Sequence, residues 1–278
     1  MRFSPDGTLL AVAGGNPGRV GEVQIWDVAK RTLRLSHTVT FDTLYGLSWS
    51  HDGVIVAFGC GDNTTRAIDV KRGKQVFFQG AHGDWVLDTI FSKDSSHLVT
   101  VSRDRSMKLN VVKTQQFVDN ITSITPGALK GGIMAVDRNP EKDELLVGGA
   151  DGVPKIYQMH RTKARKIGDD YNRLKTFAGM PGRIFDVEYS PDAKFIAAGS
   201  SLDSSGELRV YNAADAKLIA TYKSETSPIY ALSYRHDGKA VAIGGFDGIV
   251  RVIDATNGKV LTEIKSAPVE KPKQKADL

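Results

Sequence analysis

The sequence is poor in the residues that disulfide, haem and metal chemistry require. It has one cysteine, Cys60, so no internal disulfide and no Cys-x-x-Cys-His haem motif can exist. Its 6 histidines are scattered without the spacing of zinc ligands. It has neither a Walker-type phosphate loop nor a Gly-x-Ser-x-Gly nucleophile elbow. These absences disfavour metal, nucleotide and α/β-hydrolase chemistry, and we expect Cys60 to be a small buried hydrophobe.

Long apolar runs and a strong charge of either sign are also missing. No segment approaches the roughly 20 apolar residues of a membrane-spanning helix. Repeat sequence begins at Met1 itself, and no signal peptide is visible before it. The net charge of +5 and the pI of about 9.1 are a mild, dispersed excess. Such a surface tolerates an acidic partner but does not require nucleic acid.

A short unit of alternating residues is present instead, and it is clearest between Tyr234 and Asp254. Apolar and small residues alternate there with a period of two, which predicts strands. Asp237-Gly238 and Asp247-Gly248 interrupt the alternation, and Asp-Gly readily supplies the positive φ of a tight turn. The stretch therefore reads strand, turn, strand, turn, strand.

The rest of the chain repeats this unit. Successive copies are 42, 42, 47, 54 and 42 residues apart, as measured between the residues that end the third strand of each copy: Trp26, Ile68, Asn110, Tyr157, Tyr211 and Ile253. Because one such unit cannot bury its apolar faces alone, the copies must pack against one another. We predict four strands per copy and one radially stacked domain.

A period in the low forties with Trp26-Asp27 closing a strand resembles the WD-repeat family. The resemblance implies an all-β propeller with six four-stranded blades, at about 1–38, 45–80, 84–122, 131–179, 183–223 and 228–265. Residues 266–278 are rich in Pro, Lys and Ala and are expected to be a disordered basic tail.

Several loop phrases are similar to a narrower group, bacterial proteins in which a c-type cytochrome domain is fused to WD repeats. These phrases include NITSITPGALKGG, VGGADGVPKIY and VAGGNPGRVGEVQIWDV. The resemblance implies a parent protein with haem upstream, export to the periplasm and a seventh blade before Met1. Without that parent, the expected location is the cytoplasm, and the chain itself carries no cofactor motif.

Four aspartates, Asp62, Asp104, Asp151 and Asp247, each stand six residues before the strand-end position. We interpret them as turn residues whose carboxylates accept backbone N–H bonds, although a ring of carboxylates could also hold a cation. In the WD-repeat family such an aspartate bonds a histidine, with serine and tryptophan completing a network. Only the third copy approaches this set, with His82, Ser102 and Asp104, and Asn110 replaces the tryptophan. The alternative of His-Ser-Asp hydrolase chemistry is disfavoured, since strand-end placement already explains these residues.

The longest insert, His160 to Gly182, is rich in basic residues: Arg161, Lys163, Arg165, Lys166, Arg173 and Lys175. Its simplest interpretation is a solvated loop with internal ion pairs. The sharper hypothesis is a docking patch for an acidic protein partner, since inserts on a rigid scaffold often carry binding.

The sequence favours a non-catalytic scaffold for protein–protein interaction, with loops 15–21, 121–132, 160–182 and 200–206 forming the contact surfaces. One alternative is the propeller portion of a haem-containing electron-transfer protein. Another is an enzyme with a site in the central channel. The enzyme is disfavoured because the comparable residues of the inner strands are almost all apolar. They are Leu47, Thr89, Ala135, Val187 and Leu232, of which only Thr89 is polar. We therefore expect no catalytic, cofactor or metal residues and no membrane span.

Overall fold

The computed structural model of the chain describes residues 1–123, 131–164 and 170–266. All regular structure in those ranges is β-strand, arranged as six antiparallel sheets of four strands each. The predicted all-β propeller with six four-stranded blades is therefore confirmed. No helix of the described residues is long and apolar enough to span a membrane. Arg165, Lys166 and the predicted tail from residue 267 onward lie outside the described residues.

The first three blades contain strands β1 to β12. Their bounds are β1 (Arg2–Phe3), β2 (Leu9–Asn16), β3 (Val20–Asp27) and β4 (Thr32–Thr40) in blade 1, β5 (Leu44–Trp49), β6 (Ile55–Cys60), β7 (Thr65–Asp69) and β8 (Gln75–Gln79) in blade 2, and β9 (Val86–Phe91), β10 (His97–Ser102), β11 (Met107–Val111) and β12 (Phe117–Asn120) in blade 3.

The last three blades contain strands β13 to β24. Their bounds are β13 (Ile133–Arg138), β14 (Glu144–Gly149), β15 (Lys155–Gln158) and β16 (Arg173–Thr176) in blade 4, β17 (Arg183–Tyr189), β18 (Phe195–Leu202), β19 (Ser205–Asn212) and β20 (Leu218–Ser224) in blade 5, and β21 (Ile229–Tyr234), β22 (Ala240–Gly245), β23 (Ile249–Asp254) and β24 (Val260–Lys265) in blade 6.

Strand order within every blade follows the chain, so each blade is a meander. The start of each first strand therefore lies at the same end as the turn between the second and third strands, as the pairing of Leu44 with Cys60 illustrates. We call this end the upper face. The lower face carries the turns between first and second strands and between third and fourth strands.

The core lies between blades, because the first strand of each of blades 2 to 6 packs on the sheet before it. Between blades 4 and 5, for example, Ile184 and Val187 join a buried cluster with Leu146 and Ile156. Glycine permits this approach: a Cβ on Gly148 would overlap the Ile184 side chain. The apolar alternation along each strand thus becomes packing between neighbouring sheets, where burial contributes roughly 25 cal/mol per Å² of apolar surface.

The segments 15–21 and 200–206 are mostly strand, and only residues 17–19 and 203–204 form turns, so the loops are shorter than predicted. In blade 1 the ladder between β2 and β3 continues to the pair Asn16 and Val20. In blade 5 the ladder between β18 and β19 continues to Leu202 and Ser205. The glycines suggested a loop, but the backbone N–H and C=O groups remain paired across a long hairpin.

Candidate interaction surface

Aromatic side chains mark the upper face. Tyr45, Phe185 and Tyr230 occupy equivalent positions near the starts of three first strands, where Tyr230 is exposed and the other two are half-buried. The Phe185 and Tyr230 rings meet edge to face at 5.0 Å. Phe41 and Phe246 stand in upper-face connections and are 85% and 82% exposed. Large aromatic side chains are over-represented among the residues that dominate protein–protein binding energy.

Blades 2 and 3 join on this face through a stack of three side chains. The Tyr45 and Trp85 rings are stacked with centroids 5.7 Å apart. The Arg103 guanidinium lies 4.1 Å from the Trp85 ring centroid, and its Nε donates to Asp84 Oδ2 at 2.8 Å. The ion pair and the cation–π contact hold an aromatic–arginine cluster in one orientation, which lowers the entropic cost of binding to it.

The four turn aspartates share one geometry, in which the carboxylate accepts the backbone N–H two residues ahead. These contacts are Asp62 to Thr64, Asp104 to Ser106, Asp151 to Val153 and Asp247 to Ile249. In three blades a basic side chain four residues ahead completes the site: Arg66 on Asp62, Lys155 on Asp151 and Arg251 on Asp247. The sequence interpretation lacked these basic partners, although the four-residue spacing is visible in it.

Three of the four carboxylates, Asp62, Asp151 and Asp247, are therefore already paired with a cationic side chain of the protein. Burial alone would raise the pKa of Asp62, but hydrogen bonds from Thr64 and Thr40 and the Arg66 charge lower it. The pKa of Asp247 is lowered in the same way, against burial, mainly by its bond with Arg251. Among the described residues no group of three or more acidic, histidine or cysteine side chains is placed to hold a metal ion.

The third blade contains a histidine network that differs in one member from the expected set. His82 Nδ1 lies 3.0 Å from Asp104 Oδ2, and His82 Nε2 lies 2.7 Å from Thr100 Oγ1. Ser102 instead donates to the Asp84 carbonyl oxygen at 3.0 Å. Thr100 thus takes the place that the sequence assigned to Ser102. Because the His82 side chain is only 2% exposed, this arrangement is structural and offers no access to a substrate.

The remaining predicted residues have local contacts. Trp26 Nε1 donates to Gln24 Oε1 at 3.0 Å, and Asp27 Oδ1 accepts the Lys30 N–H at 2.9 Å where the strand ends. Cys60 is fully buried, and burial raises the pKa of its thiol to about 12. A thiol in that state is a packing group and not a nucleophile.

The axis of the propeller carries acidic side chains that the sequence interpretation missed. Asp88, Asp137, Asp186 and Glu188 lie on three first strands and each accepts a backbone N–H from the following blade. The bonds are Val136 to Asp88 at 3.1 Å, Tyr189 to Asp137 at 2.8 Å, Leu232 to Asp186 at 2.8 Å and Tyr234 to Glu188 at 2.6 Å. These carboxylates fasten successive blades together at the centre.

Burial is the main reason that these carboxylates have a raised pKa. The pKa is about 7 for Asp88, about 6 for Asp186 and about 7 for Glu188, while the charge of Arg2 opposes the increase in each. The positions compared in the sequence, such as Thr89 and Val187, are instead buried between blades. The premise that the channel lining is almost entirely apolar is therefore wrong.

The basic insert is partly neutralised within the protein. Arg161 Nε lies 3.3 Å from Asp119, Arg173 Nη1 lies 3.6 Å from Asp170, and Lys175 donates to the Ala213 carbonyl oxygen at 2.5 Å. Lys163 is exposed. The described part of the insert is thus a loop that leads into β16, and it contributes less free charge than its composition suggests, because Arg173 pairs with Asp170 inside the insert and Arg161 pairs with Asp119 outside it.

The chain is a six-bladed β-propeller with a cluster of aromatic side chains on its upper face. Residues 73–109 and 171–212 match the family model described as WD domain, G-beta repeat. Residues 221–271 match the model of the anaphase-promoting complex subunit 4 WD40 domain. Together with six blades at the repeat spacing, these matches make the chain similar to WD40-repeat proteins.

Relatives with assigned names are distant in sequence. The chain is 24% identical over 265 residues to eukaryotic translation initiation factor 3 subunit I of Emericella nidulans, covering 91% of this chain and 65% of that protein. It is 22% identical over 283 residues to the periodic tryptophan protein 2 homolog of Neurospora crassa, covering 89% of this chain and 29% of that protein. The chain thus spans slightly less than two thirds of the first relative's length.

The named relatives come from eukaryotes, and neither is named as a cytochrome. The comparisons therefore give no support to the bacterial cytochrome-fusion resemblance, nor to the periplasmic location that it implied.

Proposed function

We propose that the chain is a non-catalytic WD40 scaffold that binds a protein partner through its upper face. The observation that carries this proposal is the fixed aromatic–arginine cluster of Tyr45, Trp85 and Arg103. A rigid sheet scaffold holds these side chains at its surface, where aromatic and arginine residues give most binding energy per residue. The relatives support a partner protein, since one is by name a subunit of a larger factor. For the compartment we favour the cytoplasm, consistent with that translation factor.

The test compares partner recovery between variants with the same fold. Trp85→Ala combined with Tyr230→Ala should reduce affinity for the partners recovered with the wild type by about tenfold or more, because interface aromatics commonly contribute above about 1.4 kcal/mol. Phe117→Ala, on an outer strand, is the control, since Phe117 is a similarly exposed aromatic at 47%. Quantitative affinity capture with mass spectrometry measures the effect, and thermal unfolding checks the fold. Full recovery by the upper-face variant would contradict the proposal.

An acidic partner for the basic insert is a separate proposal, which rests on exposed Lys163 and the surrounding basic residues. Changing Arg161, Lys163 and Arg165 to Glu should weaken binding of an acidic partner most at low salt, because exposed charges are screened as ionic strength rises. The control makes the same changes at Lys71, Arg72 and Lys74, in the equivalent turn of blade 2. Equal affinity for both triple variants at low salt would eliminate this proposal.

A further inference from the structure

A cleft opens on the lower face between blades 4 and 5. Its volume is about 780 Å³, which lies within the range of roughly 300–1,000 Å³ that is typical of ligand-binding pockets. Three turns border it, at residues 139–144 of blade 4 and at residues 192–195 and 212–214 of blade 5. We call this cleft the blade 4–5 groove. Its residues are not those of the upper-face cluster, so a ligand here contacts a separate surface.

The floor of the groove is apolar apart from one hydroxyl. Ile156, which is 3% exposed, and the half-buried Phe195 contribute hydrocarbon surface. Tyr189 also lines the groove and is 3% exposed, and its hydroxyl has no hydrogen-bond partner among the described residues. A buried hydroxyl without a partner costs free energy, so a ligand that pairs with it offsets that cost.

The Tyr189 hydroxyl acts as a donor because it keeps its proton. Burial raises the pKa of Tyr189, and the nearby charges of Glu144 and Asp137 raise it further, while the Asn139 side chain opposes the increase. At neutral pH the hydroxyl is therefore un-ionised, and it can donate a hydrogen bond to an oxygen atom of a ligand.

Charged side chains line the rim, and one of its lysines has no carboxylate beside it. Two rim lysines are paired, Lys142 with Glu144 at 2.9 Å and Lys194 with Asp192 at 3.3 Å. Lys175 makes no ion pair among the described residues, and its ammonium donates instead to the carbonyl oxygens of Ala213 and Ala214. Because an ammonium has three N–H groups, one of them is left for an anionic acceptor.

The strand register places this ammonium on the same side of the sheet as the apolar floor. Lys175 lies opposite Ile156 in the ladder between β15 and β16, so both side chains are on the face of blade 4 that looks toward blade 5. The outer side of the groove is open, since Leu174 is 50% exposed and Glu141 and Lys194 are also exposed. An open groove with an apolar floor suits an extended chain that passes through it better than an enclosed small molecule.

We propose that the blade 4–5 groove binds a short peptide segment of a partner protein. An Asp or Glu carboxylate of that segment accepts hydrogen bonds from Lys175 and Tyr189, and a neighbouring apolar side chain packs against Ile156 and Leu174. The inference rests on the proposed scaffold function, and it gives the acidic partner of the basic insert a defined contact, since Lys175 belongs to that insert.

Selection from a phage-displayed library of random decapeptides against the purified chain tests the site. Recovered peptides should share an Asp or Glu next to a large apolar residue. As free labelled peptides, they should bind the wild type about tenfold more weakly when the acid is replaced by its amide. The same replacement should matter less than about twofold for Lys175→Met, because the ammonium is gone. Lys217→Met is the control, since Lys217 is an exposed lysine near Ala214 that does not border the groove.

A pair of tyrosine variants separates ligand contact from a structural role. Tyr234 ends the first strand of blade 6 as Tyr189 ends that of blade 5, and its hydroxyl also lacks a partner among the described residues. Tyr189→Phe should weaken binding of the acidic peptide by about fivefold, whereas Tyr234→Phe should leave it unchanged. Neither variant should lower the unfolding temperature, because each removes an unpaired buried hydroxyl.

Three results would overturn the proposal. One is that no recovered peptide binds in a way that depends on Lys175 and Tyr189. Another is that wild type and Lys175→Met prefer the acidic peptide over its amide equally. The third is that only a free carboxylate such as 3-phenylpropionate binds in the groove. Trp85→Ala combined with Tyr230→Ala should leave peptide binding unchanged, so failure of the groove and failure of the upper-face proposal can be told apart.

Discussion

The carboxylate of Glu188 at the propeller axis has two opposing effects on the stability of the fold. Glu188 accepts the Tyr234 N–H at 2.6 Å and so ties blade 5 to blade 6. Burial first, and the neighbouring Asp137 carboxylate second, raise the pKa of Glu188 to about 7 from an ordinary value of 4.5. The hydrogen bond stabilises the junction between the blades, but keeping the charge away from water costs free energy.

The raised pKa sets the direction of the pH dependence. Between about pH 4.5 and 7 the folded protein holds a proton at Glu188 that the unfolded chain has released. Protonation of Glu188 therefore stabilises the folded state fully below the pKa of the unfolded chain. This stabilisation is lost as the pH rises through the pKa of the folded protein. Asp88 and Asp186, with raised pKa values of about 7 and about 6, act in the same direction.

We predict that Glu188→Gln stabilises the fold at pH 8 and leaves it nearly unchanged at pH 4.5. The amide oxygen can still accept the Tyr234 N–H, and the buried charge is removed. The gain should be about 1–2 kcal/mol, less than the full shift implies, because water reaches the half-buried side chain. Urea unfolding at the two pH values measures it, and Glu225→Gln, at an exposed position, is the control. A loss of stability at pH 8 would mean that the ionised group is net stabilising.

At the scale of elements, the upper-face turns connect to the strands around them through side chains. In blade 3 the Asp104 carboxylate accepts the Ser106 N–H at 2.8 Å, the Gly83 N–H at 2.9 Å and a bond with His82 at 3.0 Å. It thus fixes both its own hairpin and the connection that enters the blade.

Asp104→Ala should lower the free energy of unfolding by about 1–3 kcal/mol, because it leaves the buried His82 ring and the half-buried Ser106 N–H without their acceptor. Asp215→Ala is a matched control, since Asp215 lies in an exposed turn and its carboxylate accepts the Lys217 N–H at 3.0 Å. Its loss should cost less than about 1 kcal/mol. Chemical denaturation of both variants measures the difference. Equal losses would show that the bonds from Asp104 to His82 and Gly83 contribute nothing.

The strands and turns of each blade could be predicted because they depend on local signals, the period of two and the Asp-Gly turns. The turn aspartates follow from the same signals. The axial carboxylates could not be assigned, because Asp88 and Thr89 are adjacent and only strand orientation around the axis decides which one faces it. The aromatic upper face was accessible in principle, since Tyr45, Phe185 and Tyr230 align across copies, but their exposure depends on packing between blades.

At the scale of the whole molecule, stability comes from the packing of each sheet against its neighbours. In each of the first five blades, the face that looks toward the following blade is covered by the first strand of that blade; we call it the outgoing face. The glycines at these contacts allow the closest approach between the sheets. The outgoing face of blade 6 is the exception, so equivalent substitutions should have different costs on different blades.

A comparison of two alanine substitutions measures this difference. Gly59→Ala places a Cβ against the Val86 backbone carbonyl, which cannot move without shifting the next strand, so it should cost about 1–3 kcal/mol. Gly244→Ala places the same atom in open space and should leave stability unchanged or raise it by about 0.5 kcal/mol, since alanine restricts the unfolded chain. Urea unfolding of the purified chain at pH 7 provides both values. If Gly244→Ala costs as much as Gly59→Ala, the face of blade 6 that carries Gly244 is covered in solution, and the prediction fails.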